Sequence, residues 1–260
     1  MASLEDDRYY SALDIEAQRF ANAVHEADLS QQVPTCPEWT IEQLTEHVGR
    51  AHRWVTAIVE QRATSYLPPE EVDDIPMPAT AEECSAWLRS GAFRLATVIR
   101  EAGADTPVWS WHDDQRVGFW LRRMVHETAV HRADAQLAAG GTVAMDADLA
   151  ADAVTEWLEF ASSPALAARR PELAELRGDG QTLHFHATDD GLGDAGEWVV
   201  RRTPDGVLWE HGHVKCDVGV RGAAVDLMLL IMRRIPADDS RVQIVGDRAL
   251  LEHWLEHTSF

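Results

Sequence analysis

The sequence predicts an α+β protein in two parts, a helical bundle over residues 1–165 and a small α+β domain over 175–260. Three observations lead there. Apolar residues recur every three or four positions through the first ~160 residues, the period of a helix with one buried face. After about residue 180 the period drops to two, the period of a half-buried strand. Between them "SSPALAARRPELAELRGDG" (162–180) collects the Pro, Gly and Arg residues expected of a boundary.

In the first part, Leu13, Ala17, Phe20 and Val24 form the stripe of a first helix. The segment "VPTCPEW" reads as a loop, and Thr40 with Gln43 then forms a capping box, T-x-x-Q, opening a second helix. Its inward stripe is Leu44, Val48, Ala51, Val55 and Ile58. "YLPPEEVDDIPMPAT" is a proline-rich acidic loop, after which Thr80 and Glu83 open a third helix carrying Cys84, Trp87, Leu88, Leu95 and Val98. "TPVWSWHDDQRVG" leads to a fourth helix from about 117 to 138, and a further one near 146–160 carries Leu149, Ala153 and Trp157. Long amphipathic helices in this number make a bundle.

In the second part, "TLHFHAT" places Leu183, Phe185 and Ala187 on one side of a strand and His184 and His186 on the other. "EWVVRR" and "VLWEHG" flank the turn "TPDG" as a hairpin. "HVKCDVGVRG" alternates as a further strand, a helix follows over about 222–234, then the strand "RVQIV", and Asp247 caps a terminal helix.

Composition excludes several classes. A formal net charge of −21 argues against nucleic acid or an anionic membrane surface as partner. The longest apolar run, "GAAVDLMLLIM", is too short to span a bilayer, and "MASLEDDRYY" lacks the apolar core of a signal peptide. Cys36, Cys84 and Cys216 are widely spaced and form no CxxC, so a reducing cytoplasm is the expected compartment. They read as core or loop residues, with no basic partner to mark any as a nucleophile.

The chemistry concentrates in "RRMVHETAVHRADAQ" (122–136). His126 and His131 are five apart, about 140° around a helix, so they cannot share an ion as the histidines of HExxH do. Glu127 and His131 are four apart and share a face. They interrupt the apolar line Trp120, Met124, Ala135, Ala138, where a carboxylate costs several kcal/mol unless paired or metal-bound. His47 interrupts the second helix's stripe in the same way. The three together are either a metal site with an open fourth position or a hydrogen-bonded buried polar cluster. Spacing alone leaves both open. His52 and His126 lie off the main stripes and read as pocket-edge or surface residues. His184, His186, His211 and His213 read as an exposed polar strand face rather than a chelating set, and Trp109 and Trp111 as packing or the wall of a cleft.

"TCPEWTIEQLTEHVGRAHRW" and "FWLRRMVHETAVHRADAQ" resemble the mycothiol-dependent maleylpyruvate isomerase family, among the DinB-like metal-binding bundles. "DVGVRGAAVDLMLLIMRR…VQIVGDRALLEHWL" resembles that family's second domain, which has a sterol-carrier-like α+β fold. The resemblance covers nearly the whole chain. It implies that His47, Glu127 and His131 are zinc ligands, with other divalent metals possible for such a donor set. It also implies that Arg234, beside Arg233, is the catalytic arginine, gripping a substrate carboxylate or steadying a developing enolate. Asp134, one turn past His131, is then either an acceptor for that histidine or a surface partner. The implied cofactor is mycothiol, whose thiol the metal would activate. Addition, rotation and departure of that thiol at a double bond is cis–trans isomerisation, and addition without departure is S-transfer. The expected partners are a small-molecule thiol and an electrophilic, unsaturated acid-like substrate, in a monomer or homodimer. The alternative class is a non-catalytic, metal-stabilised module that binds a small ligand or senses thiols. A zinc hydrolase ranks behind both, because Glu127 is needed as a ligand.

Overall fold

In the computed structural model, which describes residues 4–72 and 75–258, the chain divides into two compact units, Met1–Val143 and Ala144–Phe260. The first contains four long helices, α1 (Asp6–His25), α2 (Ile41–Glu60), α3 (Ala81–Ala102) and α4 (Val117–Ala138), with α1 packed on α3 and α4, and α2 likewise. Their starts are encoded locally. At α2 the Thr40 hydroxyl accepts from Gln43 N (3.3 Å) while Gln43 Oε1 accepts from Thr40 N (2.9 Å), and at α3 Thr80 Oγ1 accepts from Glu83 N (3.3 Å). Gly49 lets α2 meet α3 closely: a Cβ there would lie 1.9 Å from the Trp87 ring. The core around this contact joins Phe20, Leu44, Val48, Leu88 and Ala135.

The expected loop before α2 is instead a small antiparallel ribbon, β1 (Gln32–Val33) with β2 (Cys36–Thr40). Its apolar content is low and no alternation announces it; Val33 alone is fully buried.

The second unit opens with α5 (Ala147–Ser162) and a short α6 (Pro164–Ala167), followed by a five-stranded sheet of β3 (Thr182–Ala187), β4 (Glu197–Thr203), β5 (Gly206–His211), β6 (Val218–Gly222) and β7 (Gln243–Gly246). The strand order is β5-β4-β3-β6-β7, with only β3 and β6 parallel. The sequence reading set the break within 162–180, whereas the units part at Val143/Ala144, since α5 packs on α7 (Ala224–Ile231) and on β5. Leu183, Phe185, Trp198, Val200, Val218 and Val220 share one sheet face and are all buried. Trp198 Nε1 donates to Thr155 Oγ1 on α5 at 2.9 Å. The terminal helix α8 (Arg248–His257) starts as expected, with Asp247 Oδ1 accepting from Leu250 N at 3.1 Å.

Two expected spans are shorter in the structure. Residues 213–217 of "HVKCDVGVRG" form no strand. Helix α7 ends at Ile231 because Arg233 turns into the left-handed region (φ 61°), with Arg233 N bonded to Leu230 O and Arg234 N to Leu229 O. That pair of bonds is a Schellman stop, made here by an arginine instead of the usual glycine.

Candidate metal centre

Helices α2 and α4 bring His47, Glu127 and His131 together. His47 Nε2 lies 2.8 Å and His131 Nε2 3.3 Å from Glu127 Oε1, and the two imidazole centroids are 5.1 Å apart and nearly perpendicular. One ligand atom from each residue falls within 4.8 Å of the others. Two imidazoles bound tetrahedrally to one zinc would have their ring centres about 5 Å apart, so the donor set fits a zinc ion without rearrangement of the helices.

The surroundings orient each donor. Asp134 Oδ2 sits 2.9 Å from His131 Nδ1, fixing that nitrogen as N–H and leaving Nε2 to face Glu127. Asp134 is itself held by Thr35 Oγ1, which donates at 2.6 Å, and faces Cys36 Sγ at 3.8 Å; both come from the β1–β2 ribbon. Arg123 donates to Glu127 Oε2 at 2.6 Å, so one carboxylate oxygen is committed to a guanidinium and the other faces the histidines. Trp39, also from the ribbon, stands 4.7 Å from the His47 ring and 6.0 Å from the His131 ring, forming an apolar wall.

Burial opposes charge on Glu127, but the Arg123 guanidinium and the hydrogen bonds from His131 and His47 hold its carboxyl well below the usual range. Burial also opposes protonation of His131, yet its bonds to Asp134 and Glu127 win, pushing it up to about 9. The three donors thus converge as a charged, hydrogen-bonded group in a largely apolar setting.

Several sequence expectations need correction. His47 is on the rim, its side chain 40% exposed, while His52, expected at an edge, is fully buried and bonded through Nε2 to Thr128 Oγ1 at 2.8 Å. The buried face of α2 runs Ile41, Leu44, Val48, His52, Val55 and Val59, slightly rotated from the expected stripe. His126 is likewise fully buried, edge-on to Tyr9, because α4 is enclosed on nearly all sides and has no solvent face to offer it. His184 is buried and His186 partly so; with His213 they surround Glu197, whereas His211 bonds the Glu197 carbonyl at 2.9 Å. Asp134 is fully buried, which removes its surface alternative. Trp109 packs edge-on against Trp54 and Tyr66, and Trp111 against Phe119. Arg234, in the second unit, donates from Nη1 to Met232 O at 2.6 Å.

Arg123 and the ribbon residues were missed at the sequence level. The i,i+4 spacing of Arg123 to Glu127 was a readable signal; Thr35 and Trp39 lie in the stretch that resembles the family, but their spacing assigns them no contact with the site.

Among the described residues, Cys36, Cys84 and Cys216 are free thiols. Burial pushes the Cys84 and Cys216 thiols up, away from nucleophilic character.

A helical unit that gathers two histidines and a glutamate on two helices, followed by an α+β unit, defines a two-part chain with a candidate metal centre in its bundle. Residues 10–136 match the model of the mycothiol maleylpyruvate isomerase N-terminal domain, and residues 148–253 match that of the MDMPI C-terminal domain. The chain belongs to the mycothiol maleylpyruvate isomerase family. Among curated proteins none matches. Among solved structures it is similar to the UbiJ-SCP2 ubiquinone synthesis protein, at 17% identity over 40% of this chain and 83% of that one, with a TM-score of 0.29. Among the described residues, no helix is long and apolar enough to cross a membrane.

Proposed function

We propose that this chain is an enzyme that holds a zinc ion on His47, Glu127 and His131 and uses mycothiol with a small, electrophilic, unsaturated acid. Its reaction is cis–trans isomerisation or thiol transfer. The observation that carries this reading is the convergence of His47 Nε2, Glu127 Oε1 and His131 Nε2 in a chain whose two halves both match the family.

Bound zinc supplies Lewis acidity that lowers the pKa of a coordinated thiol, making thiolate available at neutral pH. The chain's own residues shape that site. Asp134 holds His131 Nδ1, so Nε2 is the nitrogen that would ligate, giving up its proton to the ion. Arg123 occupies Glu127 Oε2, so the glutamate presents a single oxygen. Zinc held by these three donors would have a position to offer the sulfur, and Trp39 walls the site beside both histidines. The sulfur comes from the small molecule, in keeping with the raised thiols of Cys84 and Cys216. Arg234 takes the role of pairing bidentately with a substrate carboxylate. The cytoplasm, where low-molecular-weight thiols stay reduced, is the compartment this chemistry requires.

The test is metal content of the purified chain by mass spectrometry, with Glu127→Ala alongside, followed by turnover of unsaturated acids with and without mycothiol. The expected result is about one equivalent of zinc fewer in Glu127→Ala. Thiol-dependent turnover should also vanish in His131→Ala while its circular dichroism is unchanged. Equal zinc in wild type and Glu127→Ala would sink the reading and leave the three residues as a polar cluster in a ligand-binding module.

A further inference from the structure

The second unit has a histidine cluster of its own. His184 and His186 are two apart on β3 and so point to the same sheet face, opposite the buried Leu183, Phe185 and Ala187. Glu197 on β4 is the direct cross-strand partner of His186, which places its side chain on that face as well. His213 comes from the segment between β5 and β6. His184 Nε2 lies 2.6 Å from Glu197 Oε2, while His186 Nδ1 and His213 Nδ1 lie 2.7 and 3.0 Å from Oε1.

We propose that His184, His186, Glu197 and His213 form a second divalent-metal site, a closed three-histidine, one-carboxylate set suited to zinc.

Three features favour an ion over a plain hydrogen-bonded group. First, the rings meet edge to face. The three centroid separations are 5.0, 5.5 and 6.0 Å, with interplanar angles of 75–88°. Three imidazoles on one tetrahedral zinc would sit about 5 Å apart, with their nitrogens rather than their faces converging. Second, the four ligand atoms fall within 4.8 Å of one another. Tetrahedral zinc needs donor–donor edges of about 3.3 Å, so the carboxylate–imidazole distances of 2.6–3.0 Å must open by about 0.3–0.7 Å, within side-chain reach. Third, the donor chemistry is right. Glu197 turns its two carboxylate oxygens to three imidazole nitrogens. Imidazole and carboxylate together suit zinc and its neighbours in the transition series rather than magnesium or calcium.

The neighbouring strand leaves room. On β6, Gly219 sits beside His184, and a Cβ there would meet only Val245 O, at 3.9 Å. With four protein donors, the site has no open position and is structural: it ties residues 212–217, which have no regular structure, to the central strands. The site is independent of the bundle's cluster, sharing no residue with it.

Zinc binding to the full-length chain, measured by equilibrium dialysis and metal analysis, tests it. The wild type is expected to bind two zinc ions. His186→Ala should bind one, His47→Ala one, and the double variant none. Because His186 lies within the sheet, His213→Ala serves as the gentler variant. Its side chain is 71% exposed, so circular dichroism should not change, yet the second equivalent should bind at least tenfold more weakly. One zinc in the wild type, lost in His47→Ala and kept in His186→Ala, would overturn the proposal and leave a hydrogen-bonded cluster. Zinc kept in His47→Ala but lost in His186→Ala would support it while removing the bundle site instead. No zinc in the wild type would overturn both.

Discussion

The molecule carries two histidine–carboxylate clusters, and they are built on different principles. The bundle cluster uses helical spacing: Glu127 and His131 are four apart on α4, with His47 added from α2. The sheet cluster uses strand geometry: two histidines two apart, a glutamate across the ladder and a histidine from a connecting segment. The first is braced from outside the donor set. Asp134 and Thr35 stand behind His131, and Arg123 stands behind Glu127. In the second, among the described residues, each histidine is bonded to the one carboxylate. A braced cluster with three donors suits chemistry at an open position; an unbraced one with four suits holding a segment in place.

The largest effect is expected from the reverse side of α4. Arg132, the residue after His131, is fully buried and donates from Nε to Glu16 Oε2 on α1 at 2.7 Å and from Nη1 to Gln136 Oε1 at 2.7 Å. Glu16→Ala strands that guanidinium and should cost about 3–5 kcal/mol, read as the midpoint of urea unfolding. A loss below about 1 kcal/mol would mean that the bundle does not depend on this pair.

Next is the brace itself. Asp134→Asn should weaken zinc at the bundle cluster by about ten- to a hundredfold, leaving the sheet cluster's affinity unchanged. Equal weakening of both would erase the distinction drawn between them.

A third effect depends on pH. Burial, with help from the charge of Arg53, depresses His52 to about 3 in the folded chain, against about 6.5 in a free imidazole. Because the folded value is the lower one, the unfolded chain takes up the proton first. Stability is complete above about pH 6.5 and falls as pH drops through that value toward 3, by about 2 kcal/mol at pH 5. His52→Gln keeps a polar group against Thr128 and should lack this part of the acid slope. Parallel pH curves for the two proteins would rule out His52 as the titrating group.

The smallest effect sharpens the contrast. With zinc removed by chelator, His213→Ala should change unfolding stability by no more than about 0.5 kcal/mol, as for most exposed substitutions.

How much of this was legible in the sequence follows the same division. The helices could be read because their apolar period and caps are local: α4 falls where expected, and both threonine starts are made. The bundle's polar cluster could be read because a glutamate and a histidine interrupt an apolar line. The burial of His126 could not, since a helix enclosed on nearly every side has no polar face from which to judge its stripe, and that of His52 could not because the buried face of α2 is slightly rotated from the stripe its apolar residues suggest. Nor could the ribbon. Trp39 and Thr35 reach the site through a two-strand pairing without alternation, and the contact between Thr35 and Asp134 spans 99 residues. The histidines of β3 were read as a solvated face because strand alternation tells which side a residue takes, while the carboxylate that gathers them lies across the ladder. Period alone could not assign α5, which has the same helical period as the bundle but packs with the second unit.

The adjacency of His131 and Arg132 has a thermodynamic consequence. Consecutive helical residues point about 100° apart, so the helix that presents His131 to one neighbour is fastened through Arg132 to another, with both partners buried. Rotating or sliding α4 to adjust the histidine would tear the guanidinium from Glu16. The donors therefore take their places when the bundle folds, and occupancy moves little apolar surface into or out of water. Heat-capacity change tracks such surface, so ion uptake at this bundle should be nearly free of it: the calorimetric signature of a rigid cradle, in contrast to a chain that folds around its metal.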